Sequence, residues 1–401
     1  MGPSFPQQCR PPEVLSTRSI LRRVVPSPQD PDPDESEATL RVLRISHSGV
    51  VTAWRERERQ LRRRHIDLTL VTASQWEEGG SMVPFTPSGD QFAVPVRTVG
   101  RHPNLFVFDP RPLWRLLGSG NWDLIDLHEE PFGVALAEVL LLCRLRGLRT
   151  PFVLTSAQNI DKRYPPPFRW VECWSLRHAA GAYTCNTEAG QILRRKGLRG
   201  RWILLPLGVD VDAFRPVGHA PPSGTLRVGF VGRLIPHKGV DVLLDAVALD
   251  PRIQVEIFGS GPEEEALVAR AGDLGISHRV TFHGHVADQD MPSVYQRVDA
   301  LAVPSVPTSG WVEQFGRVVV EAQASGVPVV ASASGALPDV VGADGILVPP
   351  GDAPALRDAL ARLLDEPGLW DRLRAAGAAG ARRYSWSSVA DAQAELYRSV
   401  V

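Results

Sequence analysis

Short apolar strands alternate with amphipathic helices along this chain, and the alternation is run through twice. The first run opens at Leu40-Arg41-Val42-Leu43-Arg44-Ile45 and continues with strands at 68–71, 124–127, 152–155, 182–185 and 203–205. Helical stretches fall between them at 52–64, 136–144, 171–179 and 188–196. The second run has strands at 228–231, 255–258, 280–283, 300–303, 327–331 and 345–348. Its helices fall at 240–248, 263–271, 291–296, 316–324 and 355–364. Strands that alternate with helices make a parallel sheet covered on both faces. The expected fold class is therefore α/β, with two doubly wound, Rossmann-like halves and a cleft between them. Ligands of such folds bind in loops at the carboxyl ends of the strands.

Composition sets the boundaries. Residues 1–37 are rich in proline and end in Pro31-Asp32-Pro33-Asp34-Glu35-Ser36-Glu37. Missing backbone donors and repelling acids give a disordered tail. The first half then spans 38–214. A linker at 215–224 carries Pro216, Pro221, Pro222 and Gly224. The second half spans 225–380, and 381–401 holds a final amphipathic helix with no strand after it.

Lys and Arg number 44 against 45 Asp and Glu, so the formal charge of -1 excludes a general polyanion binder, and no nucleic-acid partner is expected. Cys9, Cys143, Cys173 and Cys185 form no CxxC pair and no disulfide framework, which points to a reducing compartment. No apolar run reaches the ~18–20 residues that span a bilayer. Nor do the first ten residues form the apolar core of a signal peptide. A soluble, cytoplasmic protein is expected. The arginine run at 55–64 reads as a solvated helix face, with peripheral contact to an anionic inner-membrane surface as the alternative.

Four constellations carry chemistry. In Gly232-Arg233-Leu234-Ile235-Pro236-His237-Lys238-Gly239 a strand ends in glycine, and two cations precede a helix. Helix dipole, free N–H groups and both cations would together hold a diphosphate. In Glu313-Gln314-Phe315-Gly316-Arg317-Val318-Val319-Val320-Glu321, Glu313 precedes a helix and Glu321 lies within it among apolar neighbours. The N–H groups near Phe315 and Gly316 would take a phosphate, Glu321 the ribose hydroxyls and Glu313 sugar hydroxyls. His128 ends a first-half strand, inside Asp126-Leu127-His128-Glu129-Glu130-Pro131. By itself it reads as a structural histidine. Gly49 in Ser46-His47-Ser48-Gly49-Val50, and Gly259 in Gly259-Ser260-Gly261-Pro262, mark turns where a ligand could approach backbone. Asp210-Val211-Asp212 and Asp288-Gln289-Asp290 have the form of a metal-binding DxD. Their positions beside the linker and in a polar turn read as caps, so no metal is expected.

Together these residues resemble the family-4 retaining glycosyltransferases of GT-B architecture. The likeness covers about 40–398 and is most specific in the second half. Gly232-Arg233-Leu234 with Lys238-Gly239 is similar to that family's GRL…KG, Phe258-Gly259-Ser260-Gly261-Pro262 to its FGxGP, and Glu313…Glu321 to its E-x-F-G-x4-E. Pro304-Ser305, Gly326–Ala331, Gly345–Gly351 and Pro206-Leu207-Gly208-Val209-Asp210 match as well.

The resemblance implies a nucleotide-sugar donor, UDP-linked first and GDP-linked next, and a hydroxyl acceptor of unspecified type. It implies no cofactor. Arg233 and Lys238 would bind the diphosphate and stabilise the leaving nucleotide, with Gly232 and Gly259 in the same loops. Glu321 would hold the ribose, and Glu313 the transferred sugar. Phe315 and Gly316 would offer N–H groups, and Gly49 would form the glycine loop of the first half. His128, in a stretch similar to the family's HEP, would stand near the reacting carbon, which reverses its structural reading. The final helix would cross back to the first half. Three departures bear on the donor sugar: Ser334-Gly335-Ala336-Leu337-Pro338-Asp339 in place of GG-x-PE, the longer 306–312 stretch with Trp311, and a single glycine in the first loop. The rival readings are a nucleotide-sugar epimerase of the same architecture and a catalytically silent sugar-nucleotide-binding subunit.

Overall fold

The computed structural model describes residues 39–78, 81–216, 218 and 220–401. The expected tail at 1–37 and Cys9 lie outside the described residues. Strands of the first half are β1 (Leu40–Ile45), β2 (Ile66–Ala73), β3 (Gln75–Glu78), β4 (Ser81–Pro84), β5 (Ala93–Val96), β6 (Thr98–Val99), β7 (Val107–Phe108), β8 (Leu124–Leu127), β9 (Phe152–Ser156), β10 (Gly181–Thr184) and β11 (Arg201–Leu204). Seven of them form one parallel sheet in the order β11-β10-β9-β8-β1-β2-β5. The second half has β12 (Leu226–Val231), β13 (Ile253–Phe258), β14 (Val280–Gly284), β15 (Ala300–Val303), β16 (Val329–Ser332) and β17 (Ile346–Val348). They form a parallel sheet in the order β14-β13-β12-β15-β16-β17.

Each sheet reverses its strand order once, between β1 and β8 in the first and between β12 and β15 in the second. The loops leaving those four strands diverge and open a crevice. They carry His47 and Gly49, His128, Gly232 and Arg233, and Glu313 respectively. Strand order thus sets these residues at the switch point of one sheet or the other.

The helices Pro110–Ser119 and Leu369–Ala381 are absent from the sequence reading, and two further departures bear on the first half. Residues 77–95, which carried no legible pattern, hold the β3–β4 hairpin and the edge strand β5. Pro95 within β5 removes a ladder donor, which an edge strand tolerates. The second departure corrects the arginine run at 55–64, which is no solvated face. Arg55 and Arg57 are buried. Arg55 pairs with Asp90 at 2.9 Å, Arg59 pairs with Asp90 at 2.8 Å, and Arg64 pairs with Asp391 at 2.6 Å. The helix Glu56–Arg62 carries these residues against β2 and the final helix. Its ion partners lie far away in sequence, where local periodicity gives no sign of them. Arg62 and Arg63 are what remains exposed.

The final helix, Trp386–Arg398, lies on the first half. Val389, Ala390, Ala394, Leu396 and Tyr397 share one apolar core with Val42, Leu61 and Leu124. Ser385 caps it, accepting from Ser388 N at 3.1 Å. Polar bonds anchor it as well. The buried Asp126 carboxylate accepts from Tyr397 Oη at 2.5 Å, Gln393 Nε2 at 3.1 Å and Tyr183 Oη at 2.8 Å. Arg44 completes the cluster, pairing with Asp126 and with Glu58 at 2.7 Å. A buried carboxylate is tolerated only with such partners. Tyr397→Phe is expected to cost about 1.5–3 kcal/mol and Asp126→Ala about 3–5 kcal/mol in chemical denaturation. A Tyr397→Phe cost indistinguishable from zero would show that apolar packing alone holds the helix.

Candidate active site

Two histidines stand side by side at the carboxyl ends of β1 and β8, in opposite states. The Glu129 carboxylate accepts from His47 N at 2.8 Å and lies 2.8 Å from His47 Nδ1. Trp76 and Phe106 pack on the His47 ring with centroids 4.5 and 5.2 Å away. Burial alone would lower the His47 pKa, but Glu129, with Glu78 further off, outweighs it and raises the pKa above 6.5. His128 Nδ1 lies 3.0 Å from Tyr183 Oη. Tyr183 donates its one hydroxyl hydrogen to Asp126, so its oxygen must accept from His128. His128 therefore carries its hydrogen on Nδ1, and Nε2 keeps its lone pair. Burial, then Arg44, Arg57 and His47, push its pKa well below 6.5. A cavity of about 190 Å³ lies between the two rings, lined also by Ser48, Arg57, Tyr183 and Leu207. A second cavity adjoins His128 and reaches Gly49, Arg57 and, from the second half, Arg317.

Gly49 is required by packing: a Cβ there would sit 2.9 Å from Leu70 Cδ2 and 3.0 Å from Thr72 Oγ1. Gly232 and Gly259 serve each other. The two loops pack so closely that a Cβ on Gly259 would meet the Gly232 carbonyl at 1.8 Å. This stacking fixes the loop that presents Arg233, which is exposed and whose guanidinium has no partner among the described residues. Lys238 Nζ lies 2.7 Å from Glu313 Oε2, and Ser305 Oγ donates to the same oxygen at 3.1 Å. Trp311 covers the pair, 3.9 Å from the His237 ring and 5.1 Å from Lys238 Nζ.

Gly316 opens the helix Arg317–Ala324 at φ +84°, a conformation that costs other residues strain. The N–H groups of Phe315, Gly316, Arg317 and Val318 bond to no protein acceptor among the described residues. The Phe315 ring is buried against Tyr384, so its backbone alone faces outward. Glu321 is buried; Tyr295 Oη donates to one oxygen at 2.8 Å and Arg317 to the other at 3.0 Å. Each oxygen retains a lone pair for a further donor.

The first half reaches this loop directly. Asn159 Nδ2 donates to Glu313 O at 2.8 Å, and Asn186 Nδ2 to Gln314 O at 2.9 Å. Sequence reasoning did not assign roles to His47, Glu129, Arg57, Arg317 or these two asparagines. Glu129 adjoins His128 and Arg317 adjoins Gly316, which was the available signal. Asp210 accepts from Asp212 N and Ala213 N, a turn cap, and 288–290 form a short 3-10 turn. Among the described residues, no group of three or more His, Cys, Asp or Glu is placed to hold a metal ion.

Two doubly wound sheets that bring their switch-point loops together define the GT-B class. Solved structures share this fold. Sucrose-phosphate synthase from Thermosynechococcus elongatus superposes with TM-score 0.67 at 22% identity, over 90% of this chain and 98% of that one. Anabaena HepE, solved with UDP and glucose, gives 0.66 at 20% identity, over 90% and 100%. Sequence profiles identify the halves: the glycosyl transferase 4-like domain matches residues 48–208, and glycosyl transferases group 1 matches 214–381. Phosphatidyl-myo-inositol mannosyltransferase of Mycobacterium leprae is 40% identical over 303 residues, 71% of this chain and 76% of the relative. D-inositol 3-phosphate glycosyltransferase of Mycolicibacterium smegmatis is 37% identical over 251 residues, 58% and 56%. This chain belongs to the family-4, group 1 glycosyltransferases. It spans about half the length of the D-inositol 3-phosphate relatives from Mycolicibacterium smegmatis and Streptomyces griseus.

The two histidines should titrate on opposite sides of 6.5 in an NMR titration of ring resonances, with His47 above and His128 below. Glu129→Gln should bring His47 below that value. The sign for stability follows. The His47–Glu129 contribution is complete below pH 6.5 and is lost as pH rises through the higher folded value. His128 destabilises the fold as pH falls below 6.5, where the unfolded chain takes up the proton first. Coincident titration of both rings would contradict the opposite effects of Glu129 on His47 and of burial on His128.

Proposed function

We propose that this chain is a retaining glycosyltransferase that moves a sugar from a nucleotide-sugar donor, UDP-linked first and GDP-linked next, to a hydroxyl acceptor. One observation carries the reading. The unpartnered Arg233 guanidinium, the half-buried Lys238 and the unbonded N–H groups at Phe315–Val318 lie in the loops that leave β12 and β15, and Arg317 beside them lines the same cavity as His128. Such an array suits a diphosphate and little else. UDP is chosen first because HepE is solved with UDP and with UDP-glucose. The printed names of the inositol-phosphate and phosphatidylinositol relatives favour an acceptor bearing a phosphorylated cyclitol.

The chemistry follows from charge. Cleavage of the anomeric C–O bond leaves positive charge on the sugar and negative charge on the departing phosphate. Arg233, Lys238 and the helix N-terminus oppose the negative charge inside a cleft that excludes water. In many enzymes such fixed charges and dipoles supply most of the rate acceleration. The carboxylates after His128 are committed elsewhere. Glu129 binds His47, and Glu130 accepts from Ser156 Oγ at 2.7 Å and Ala157 N at 2.8 Å. This favours attack from the leaving-group face, with the acceptor proton passing to the departing phosphate, over a covalent double displacement. The His128 Nε2 lone pair accepts from a sugar hydroxyl near the reacting carbon. We assign metal no role, because the second half supplies the cations itself.

The test is calorimetric titration with UDP, GDP, ADP and dTDP without added metal. One nucleotide should bind saturably. Lys238→Ala should weaken it about tenfold or more, as loss of a charge-assisted bond does. Glu321→Ala should also weaken it. His128→Ala should leave nucleotide affinity unchanged and lower turnover. Failure of all four nucleotides to bind would favour the silent-subunit reading.

A further inference from the structure

Arg57 is the second residue of the helix Glu56–Arg62 and is only 5% exposed, yet it lines both cavities beside His128. Its Nη1 has no hydrogen-bond partner among the described residues. Among the described residues no carboxylate lies within ion-pair distance of it, whereas Arg44, Arg55, Arg59 and Arg64 each have one. The acids nearest in the fold, Glu58 and Asp126, are bonded to Arg44. The Trp386 ring faces it, with its centroid 5.9 Å from the guanidinium carbon, and Tyr183, Glu58 and Asp126 act on its charge only at longer range. Buried donors are rarely left unmet, and a guanidinium facing a cavity is met by whatever fills the cavity.

Arg317 repeats the pattern from the second half. It lines the same cavity as Arg57, Gly49 and His128. Glu321 takes one of its terminal nitrogens, but its Nε is buried without a partner among the described residues. Two guanidinium groups, one from each half, thus line one space, and each keeps a buried N–H that no protein acceptor among the described residues takes. A planar fork of donors fits tetrahedral, multiply charged oxygen groups, and arginine is the usual residue for them.

We propose that Arg57 and Arg317 clamp a phosphoryl group of the substrate between the two halves. This rests on the nucleotide-sugar reading for the presence of a phosphorylated ligand in the cleft. Two sources have that chemistry: the donor diphosphate and a phosphate on the acceptor. A clamp drawing on both halves would be complete only when they are together, so the ligand itself would favour closure.

The probes are inorganic phosphate, UDP and uridine, titrated calorimetrically into the full chain as wild type, Arg57→Met and Lys238→Ala. If the acceptor supplies the phosphate, UDP-saturated wild type takes up inorganic phosphate, and Arg57→Met weakens that uptake about tenfold or more with UDP affinity unchanged. If the donor supplies it, UDP blocks phosphate uptake, and Arg57→Met weakens UDP about tenfold or more without changing uridine binding. Arg57→Met binding both phosphate and UDP as wild type does would overturn the proposal. Lys238→Ala separates the two readings: UDP affinity unchanged in that variant counts against the diphosphate site and leaves the Arg57 comparison standing. Arg57 gives up no bond to protein, so Arg57→Met should melt at or above the wild-type temperature. Should it fail to fold, Arg57→Gln removes the same charge, and wild-type binding of both probes by that variant overturns the proposal equally.

Discussion

The Asp126 carboxylate sets more of this structure than its single charge suggests. It lies at the end of β8 with no exposure to water, so every lone pair needs a donor. Arg44 supplies one from β1, Tyr183 from β10, and Tyr397 and Gln393 from the final helix. The same bonds reach the cleft. Tyr183 spends its hydrogen on Asp126, so it accepts from His128 and decides which imidazole nitrogen keeps its lone pair. A helix some 260 residues downstream and the tautomer of a cleft histidine therefore answer to one carboxylate.

The second half is organised by backbone contact. The Gly259 and Gly232 loops touch, Gly239 lies where a Cβ would meet the Pro304 carbonyl at 2.0 Å, and Gly335 where it would meet the Glu313 carbonyl at 2.2 Å. These approaches stack the loops that carry Arg233, Lys238 and Glu313 one upon another. The glycine pattern is a packing requirement first. Its consequence is that the main-chain N–H groups of these loops are held in place, with little rotational freedom left to lose.

This explains which parts of the molecule were legible in the sequence. The second-half loops are punctuated by glycine and keep their chemistry within a few residues, so Gly232–Lys238 and Glu313–Glu321 could be read directly. The strand alternation gave both sheets, because burial on two faces leaves continuous apolar runs. Long-range pairing was not legible. Arg55 finds Asp90, Arg64 finds Asp391, and His47 finds Glu129, and nothing local distinguishes these arginines from a solvated helix face. Edge strand β5 was hidden by Pro95. His128 pointed to a function only through its resemblance to a family motif, since its protonation depends on a tyrosine 55 residues away.

Two of the contacts from the first half to the Glu313 loop are amide donors on backbone carbonyls: Asn159 to Glu313 O and Asn186 to Gln314 O. Neither bond involves a formal charge. Added salt screens ion pairs and leaves such bonds nearly untouched. These two bonds are therefore insulated from ionic strength, unlike the charged Lys162 contact to Gly310. The same carbonyls would remain as acceptors after replacement of either side chain at 313 or 314. The latch is written in the main chain, and drift in sequence at these two positions would leave it in place.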